Sequence, residues 1–375
     1  MFRVFWGHTT AIGGAYYRCM AHAFEAKKQG IAESLYMDYD PKRMGNTPNM
    51  WERVLLAQED KQEAIVQQTN AMVRNSDITV YQFFITPIGL ALLRMQKDQY
   101  KKPMVMELDD YPFDIPALNL ASTEFTKGSE KVKIIQQQLK LSDAVITTND
   151  WLANEFRKYN QNVHVVQNSI DFNIWDNLRK KDRPNKRIRL GHIGASAHLE
   201  DKHMLKPVVE ALIEKYGHDI EFVFVGESQC PSWMIPYQSQ GYLKLVPHWV
   251  NIDEYPQYLA DFNFDIGLAP LRDYTFSRGK SNLRWLEYSA LQIPTVASRV
   301  GHFRQTIKDG EDGYLCTEAD EWIEKLSALI DSEILRRGIG LAGYERVKKD
   351  FNLAKVTPQY IDLLKKIKEE HNDNV

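Results

Sequence analysis

Short runs of apolar, β-branched and aromatic residues recur along the chain, separated by longer stretches with helical periodicity. In the first half these runs are FRVFW (2–6), ITVYQFF (78–84), PMVMEL (103–108), AVITT (144–148) and VHVVQ (163–167). In the second half they are RLGHIG (189–194), IEFVFVG (220–226), YLKLV (242–246), FDIGLAP (264–270) and IPTVAS (293–298). Strands that alternate with helices predict βαβ units and a mostly parallel sheet in each half.

The pattern therefore predicts two similar α/β domains. The stretch FNIWDNLRKKDRPNKRI separates them, and its basic run is typical of a solvated hinge. We predict a first domain over 1–171, a linker over 172–188 and a second domain over 189–350. The pattern of 351–375 predicts a last helix, which leaves open whether it packs on the second domain or back on the first.

Composition narrows the class of protein. The 375 residues are 43% hydrophobic and 11% aromatic, enough for sizeable cores, and the net charge of −3 does not favour a protein that binds mainly phosphate backbones. The three cysteines are odd in number and lack metal-ligand spacing, so we expect a reducing, cytoplasmic compartment. The N-terminal MFRVFWGH does not resemble a signal peptide, and we expect no integral membrane segment.

Ligands of open parallel sheets bind beyond the carboxyl ends of the strands. After the first strand comes GHTTAIGGAYYRC, where Gly13 and Gly14 would let the backbone approach a ligand and the next helix would present free N–H groups. His8 and Arg18 flank this turn, and we predict that these four residues bind an acceptor. The alternative is a plain glycine-rich turn.

A second candidate follows the PMVMEL run. Glu107, Asp109 and Asp110 place three carboxylates at one strand end, which is unfavourable unless something polar binds there. We predict that Glu107 and Asp110 contact the acceptor, and that Asp109 or Asp110 orients its hydroxyl or accepts its proton. These carboxylates could instead hold a metal, as could Asp38-Tyr39-Asp40, but the acidic match is weak and we expect no metal site.

Two further turns carry candidate donor-binding residues. In HIGASAHLEDKHM, a glycine, a hydroxyl, an imidazole and an ammonium surround a helix start and suit a phosphate; they are Gly194, Ser196, His198 and Lys202. A capped helix with a surface lysine is the competing interpretation. His248 and Pro270 follow two later strands and could frame a base or a sugar.

The stretch SRGKSNLRWLEYSALQIPTVAS is the fifth candidate. Its GKS is not a P-loop, because the required upstream glycine is Tyr274. If a helix begins near Gly279, its first amides, with Lys280, Ser281 and Asn282, would meet a phosphate, and Glu287 on the same face would accept hydrogen bonds from ribose hydroxyls. A solvated face with an Arg284–Glu287 ion pair is the alternative.

Longer segments resemble a known family. VVQNSID (165–171), SDAVITTND (142–150) and EYSALQIPTVASRVGHFRQTIKDGEDGYLC (287–316) resemble the GT-B glycosyltransferases, specifically the retaining group with a Glu-x7-Glu motif. The resemblance implies two Rossmann-like, doubly wound domains facing each other across a cleft. It also implies transfer of a hexosyl or pentosyl unit, with retention, from a UDP- or GDP-linked sugar to the hydroxyl of a glycan or glycoconjugate.

The same resemblance implies that no cofactor or metal is needed beyond the co-substrate. Lys202, Lys280 and helix amides would stabilise the leaving diphosphate. Three positions depart from the family pattern. Gly279 replaces the first glutamate of the motif, Ser169 replaces a glycine, and Glu107-Leu-Asp-Asp110 stands where many members carry a histidine.

Other functions fit the same sequence. A glycosyltransferase acting on a modified base in DNA would need a basic groove between the domains, and its most obvious suppliers are Lys101, Lys102, Arg179, Lys180, Lys181 and Lys186. A non-catalytic nucleotide-sugar-binding protein and a sugar-nucleotide epimerase are further alternatives.

Overall fold

The structure is a computed structural model of the chain. It describes residues 1–7, 13–37, 42, 59–117, 119–183, 185–194, 199–226, 231–247 and 250–373. Within these residues the chain forms two six-stranded parallel sheets. Each sheet with its helices is called a domain below.

The first sheet has the strand order β2-β1-β3-β4-β5-β6. Its strands are β1 (Arg3–Gly7), β2 (Glu33–Tyr36), β3 (Ile78–Gln82), β4 (Met104–Glu107), β5 (Ala144–Thr147) and β6 (Val163–Val165). Every residue of β3, β4 and β5 is buried. Continuous burial explains why these strands read as unbroken apolar runs, since helices cover both faces of a parallel sheet.

The second sheet has the order β12-β11-β10-β7-β8-β9. Its strands are β7 (Ile188–Ile193), β8 (Ile220–Val225), β9 (Leu243–Val246), β10 (Ile266–Ala269), β11 (Thr295–Ser298) and β12 (Tyr314–Cys316). Each predicted run contains a strand, and the predicted fold class of two doubly wound α/β domains is confirmed. The pattern missed β2 and β12, which are short edge strands.

The helices of the first domain connect and cover its strands. They are α1 (Gly13–Ala15), α2 (Ala21–Lys28), α3 (Glu59–Asn75), α4 (Pro87–Tyr100), α5 (Glu130–Leu141) and α6 (Asp150–Phe156), with a π-helical turn at Tyr16–Met20 and a 3₁₀ turn at Leu120–Thr123. Side-chain caps fix several starts: Thr86 accepts from the Gly89 amide before α4, and Asn149 accepts from the Leu152 amide before α6.

The later helices include those of the second domain and the C-terminal pair. They are α7 (Phe172–Trp175), α8 (Leu199–His203), α9 (Lys206–Tyr216), α10 (Ile235–Ser239), α11 (Tyr255–Asp261), α12 (Thr275–Arg278), α13 (Leu283–Ala290), α14 (Gly301–Thr306), α15 (Ala319–Asp331), α16 (Glu333–Asp350) and α17 (Leu353–Asp373), with 3₁₀ turns at Gly217–Asp219 and Ser232–Met234.

The chain crosses between the domains twice, and the two crossings lie side by side. The Ile170 amide donates to the Phe351 carbonyl at 2.8 Å, and the Leu353 amide donates to the Ile170 carbonyl at 2.9 Å. Beyond this point α17 returns to the first domain, where Tyr360 and Ile361 pack with residues of β1. The C-terminal helix therefore belongs to the core of the first domain.

Residues 172–188 lie against the second domain rather than apart from both. Phe172 and Trp175 of α7 are buried in the core of the second domain, and Arg183 forms an ion pair with Asp265 at 2.6 Å. The basic run thus contacts residues near the amino ends of strands in the second sheet.

The six basic residues predicted for a nucleic-acid groove do not face the space between the domains. Two of them, Lys101 and Lys102, directly precede β4, and the other four precede β7. In a parallel sheet, residues that precede the strands lie at the amino ends of the strands, and residues that follow the strands lie at the opposite, carboxyl ends. The basic groove expected for a DNA acceptor is therefore not formed by these side chains.

Candidate active site between the two domains

Apart from the two chain crossings, hydrogen bonds between the described residues join the two domains at one segment, 279–287. Asn149, which follows β5, donates from Nδ2 to the Gly279 carbonyl at 3.0 Å. Asn168 donates from Nδ2 to Ser281 Oγ at 3.0 Å. Because both first-domain residues follow strands, the segment lies at the carboxyl ends of the strands of the first sheet. Ligands of open α/β sheets bind at this position. We call 279–287 the junction segment.

The helix predicted to begin near Gly279 begins later. Helix α12 ends at Arg278, α13 begins at Leu283, and Gly279 to Asn282 form the turn between them. The first domain packs directly on this turn, since a Cβ at position 279 would lie 3.0 Å from Leu152 and 3.1 Å from Tyr111. Lys280 therefore lies on the turn before α13, and the prediction that it belongs to this helix was wrong.

Lys280 reaches across the cleft. Its Nζ lies 2.9 Å from both carboxylate oxygens of Asp110, which follows β4, and it also lies over the ring of Phe276 at 4.3 Å from the centroid. The side chain of Lys280 is 21% exposed and that of Asp110 is 45% exposed. The pair thus joins a predicted donor residue to a predicted acceptor residue at a position open to solvent.

Glu287 is almost fully buried, and both of its carboxylate oxygens accept hydrogen bonds. The Tyr17 hydroxyl of the first domain donates to Oε1 at 3.0 Å, and the Tyr255 hydroxyl of the second domain donates to Oε2 at 2.9 Å. Burial raises the pKa of Glu287 to about 7, against the lowering effect of the two hydrogen bonds. This carboxylate therefore contributes to the contact between the domains.

A buried ion pair lies beneath the first-domain side of the cleft. Arg18 Nε donates to Glu107 Oε1 at 2.6 Å, and both side chains have an exposure of 0%. Arg18 Nη1 also donates to Asn168 Oδ1 at 2.9 Å. Burial raises the pKa of Glu107, and the Arg18 charge acts in the opposite direction. With both side chains buried, the pair can position neighbouring groups.

The glycine turn at Gly13-Gly14 lies next to the acidic turn at Asp109-Asp110. A Cβ on Gly14 would be in ordinary contact with Asp109 Oδ2 at 3.5 Å, and a Cβ on Gly13 would meet nothing within 4 Å. Burial and the neighbouring charge of Asp110 raise the pKa of Asp109. The predicted glycine turn and the predicted acidic turn therefore face each other at the start of α1.

The predicted donor residues of the second domain lie mainly in its interior. Lys202 is fully buried and Pro270 is buried. Asn282 is fully buried and donates to Thr306 Oγ1 at 3.4 Å, while its Oδ1 has no hydrogen-bond partner. A Cβ on Gly194 would lie 2.9 Å from Arg284 Nη2, the end of a flexible side chain. Of the described members of this group, Lys280, Ser281 and Glu287 are the ones hydrogen-bonded to the first domain.

Several predicted positions lie outside the described residues. They are His8, Ser196, His198, His248 and the stretch Asp38-Tyr39-Asp40. Among the residues that are described, no group of three or more His, Cys, Asp and Glu side chains is arranged to hold a metal ion. None of the described helices has both the length and the apolar composition needed to cross a bilayer.

Sequence reasoning missed the residues that link the domains. Asn149 and Asn168 lie within the segments that resemble a known family, but no chemical role was predicted for them. Tyr17 adjoins the predicted Arg18, and its proximity to the glycine turn was the available signal. Tyr255 lies in a stretch without any local motif, so its contact with Glu287 could not be read from the sequence.

Comparison with known proteins finds a family match within the second domain. Residues 187–332 match the family model described as "Glycosyl transferases group 1". This match contains the whole junction segment, including Lys280 and Glu287.

Solved structures support the fold of the whole chain. The UDP-glucose complex of HepE from Anabaena is similar with a TM-score of 0.66 at 12% identity, covering 98% of this chain and 100% of that one. Sucrose-phosphate synthase from Thermosynechococcus elongatus is similar with a TM-score of 0.64 at 13% identity, covering 98% and 99%. At such low identity the likeness shows the fold, which is GT-B.

Curated relatives match over shorter segments. The capsular polysaccharide biosynthesis glycosyltransferase CapM of Staphylococcus aureus is 24% identical over 194 residues, 49% of this chain and 49% of CapM. Trehalose synthase of Pyrococcus horikoshii is 34% identical over 71 residues, 19% of this chain and 17% of that protein. This chain thus matches at most about half the length of these relatives.

Proposed function

We propose that the protein is a glycosyltransferase that moves a sugar from a nucleoside diphosphate sugar, with UDP as the first candidate, to an acceptor hydroxyl. The observation that supports this most strongly is the junction segment. It lies within the part of the chain that matches the group 1 glycosyl transferases, and it meets the Asp110 carboxylate and the Tyr17 hydroxyl of the first domain across an interdomain cleft. Similar structures are complexes with UDP and with UDP-glucose.

The charges of the cleft suit this reaction. The Lys280 ammonium would stabilise the negative charge that grows on the diphosphate as the bond to the sugar breaks. It has three donors, so it can keep a bond to Asp110 while it binds a phosphate oxygen. Asp110, or the neighbouring Asp109, would orient the acceptor hydroxyl on the opposite side of the cleft.

We further propose that the reaction retains the anomeric configuration, on the strength of the resemblance between 287–316 and the retaining group. In the front-face course, the bond from the sugar C1 to the phosphate oxygen breaks as the bond from C1 to the acceptor oxygen forms. The acceptor proton passes to the departing phosphate oxygen. The coupling constant of the anomeric proton, measured by NMR in the product and compared with that of the donor sugar, would test this assignment directly.

The acceptor is proposed to be a glycan or glycoconjugate. The carboxylates of Asp109 and Asp110, which follow β4 and are partly exposed, would repel a phosphate backbone, whereas carboxylates are good acceptors for sugar hydroxyls. The basic residues considered for a DNA acceptor precede β4 and β7, and so lie on the amino side of the strands, away from the cleft. No observation on the described residues therefore favours the DNA-modifying alternative.

The experiment is a release assay with UDP- and GDP-linked sugars, in the presence of mixed glycan acceptors and with or without excess chelator. We expect at least one donor to release its nucleoside diphosphate in an acceptor-dependent manner, at the same rate in chelator, because Lys280 and helix amides replace a metal. Loss of activity that Mn²⁺ or Mg²⁺ restores would contradict metal independence. Donor binding without any release would instead support a non-catalytic binding protein.

A further inference from the structure

The helix that follows the glycine turn contains a π-helical segment, Tyr16–Met20, between α1 and α2. Its widened turn is visible where the Ala21 amide donates to the Tyr16 carbonyl, five residues back. Single π turns within α-helices are frequent at functional sites. Here the segment carries two consecutive buried residues with different partners: Arg18 pairs with Glu107 of its own domain, and Tyr17 bonds to Glu287 of the other domain.

The two hydrogen bonds to Glu287 differ in what happens to them when the domains separate. Tyr255 belongs to the same domain as Glu287, so its bond to Oε2 would move with the carboxylate. Tyr17 belongs to the first domain, so its bond to Oε1 would break. Glu287 is 5% exposed, and a ligand can reach its carboxylate only after one of these hydroxyls has left.

We propose that Tyr17 is a positioning residue that sets the affinity for the donor: it occupies Glu287 Oε1 while the cleft is empty and gives it up to a hydroxyl of the bound nucleotide. This inference rests on the proposed function. A carboxylate removed from water requires hydrogen-bond donors, so Tyr17 leaves readily only when another O–H replaces it. A ribose hydroxyl supplies that group.

The neighbouring contact follows the same pattern. Lys280, the residue proposed to meet the diphosphate, is bonded to Asp110 of the first domain. Two groups of the junction segment, Lys280 and Glu287, are thus bonded to first-domain side chains. Donor binding and the separation of the domains are therefore coupled through the same residues, with Tyr17 as the contact that the donor directly replaces.

The test is the substitution Tyr17→Phe, measured by titration with UDP and with UDP-glucose. Without the Tyr17 hydroxyl, Oε1 has no partner to lose, so we expect the donor to bind about 3- to 10-fold more tightly, the equivalent of one net hydrogen bond. The KM for the donor should fall by a similar factor, and kcat should not rise. A gain in affinity is not expected from a residue with a merely structural role.

Tyr255→Phe is the matched control, because it removes the other hydroxyl from the same carboxylate. Tyr255 stays with Glu287 when the donor binds, so its loss should weaken donor binding by about 3- to 10-fold. Both variants lose one hydrogen bond to Glu287, and a purely structural role predicts that they behave alike. Opposite shifts in donor affinity would therefore support the inference.

Two results would overturn it. If the wild-type protein binds UDP or UDP-glucose and Tyr17→Phe binds them with unchanged or weaker affinity, Tyr17 does not compete with the donor, and the proposed function stands without it. If the wild-type protein binds neither ligand nor any other nucleoside diphosphate sugar, the proposed function fails and this inference fails with it.

Discussion

Replacing Arg18 by methionine should lower the free energy of unfolding by about 3–5 kcal/mol. The substitution leaves the Glu107 carboxylate buried without its ion partner and removes the donor to Asn168 Oδ1. A buried carboxylate without a partner is far more destabilising than the loss of an exposed ion pair, which contributes about 0–1 kcal/mol. Chemical denaturation followed by tryptophan fluorescence would measure the change.

The double substitution Arg18→Met with Glu107→Leu is the control. It removes both buried charges, and apolar residues of similar volume often replace a buried ion pair without loss of stability. We therefore expect the double variant to regain most of the stability that the single variant loses. A loss of stability below about 1 kcal/mol for Arg18→Met would contradict the view that this buried pair stabilises the first domain beneath the cleft.

Replacing Lys280 by methionine should lower kcat by about 100-fold or more, the usual effect of removing one group that stabilises developing negative charge. The proposed role of Lys280 is strongest as the diphosphate departs, so donor affinity should change much less than kcat. Initial-rate kinetics with a saturating acceptor would separate the two parameters.

Lys97→Met provides a matched comparison. Lys97 forms a similar partly buried pair, with its Nζ 2.9 Å from Asp143 Oδ1, but Asp143 directly precedes β5 and so lies at the sheet edge away from the cleft. We expect this variant to keep wild-type turnover. If Lys280→Met weakens donor binding as much as it lowers kcat/KM, the lysine contributes to ground-state binding alone.

The sequence predicted the strands of both sheets well because periodicity is a local property. Runs such as ITVYQFF and IEFVFVG are mostly apolar because both faces of each sheet are covered, and this pattern distinguishes them from the helices between them. The missed strands, Glu33–Tyr36 and Tyr314–Cys316, lie at sheet edges. Glu33–Tyr36 has no fully buried residue, and Tyr314–Cys316 has only three residues and no longer apolar run around it, so neither stands out as an apolar run.

The candidate site was less predictable because its contacts join residues far apart in the chain. The turn at Gly279 interrupts a continuous helical pattern, and Leu152 and Tyr111 of the other domain pack against it. Tyr17 contacts a residue 270 positions away. Local sequence indicated that Glu287 mattered, but only the relative placement of the domains shows that two tyrosines bind it.

The central claim is that the junction segment binds a nucleoside diphosphate sugar, and calorimetric titration of the wild-type protein and Glu287→Gln with UDP-glucose and related donors tests it most directly. Glutamine keeps the size of the side chain and an acceptor for one tyrosine, so the variant should remain folded by circular dichroism. We predict saturable binding to the wild-type protein and at least about 10-fold weaker binding to Glu287→Gln, because hydrogen bonds to a charged acceptor contribute about 1.5–3 kcal/mol. Equal affinity of the two folded proteins, or no binding of any donor by the wild type, would contradict the claim.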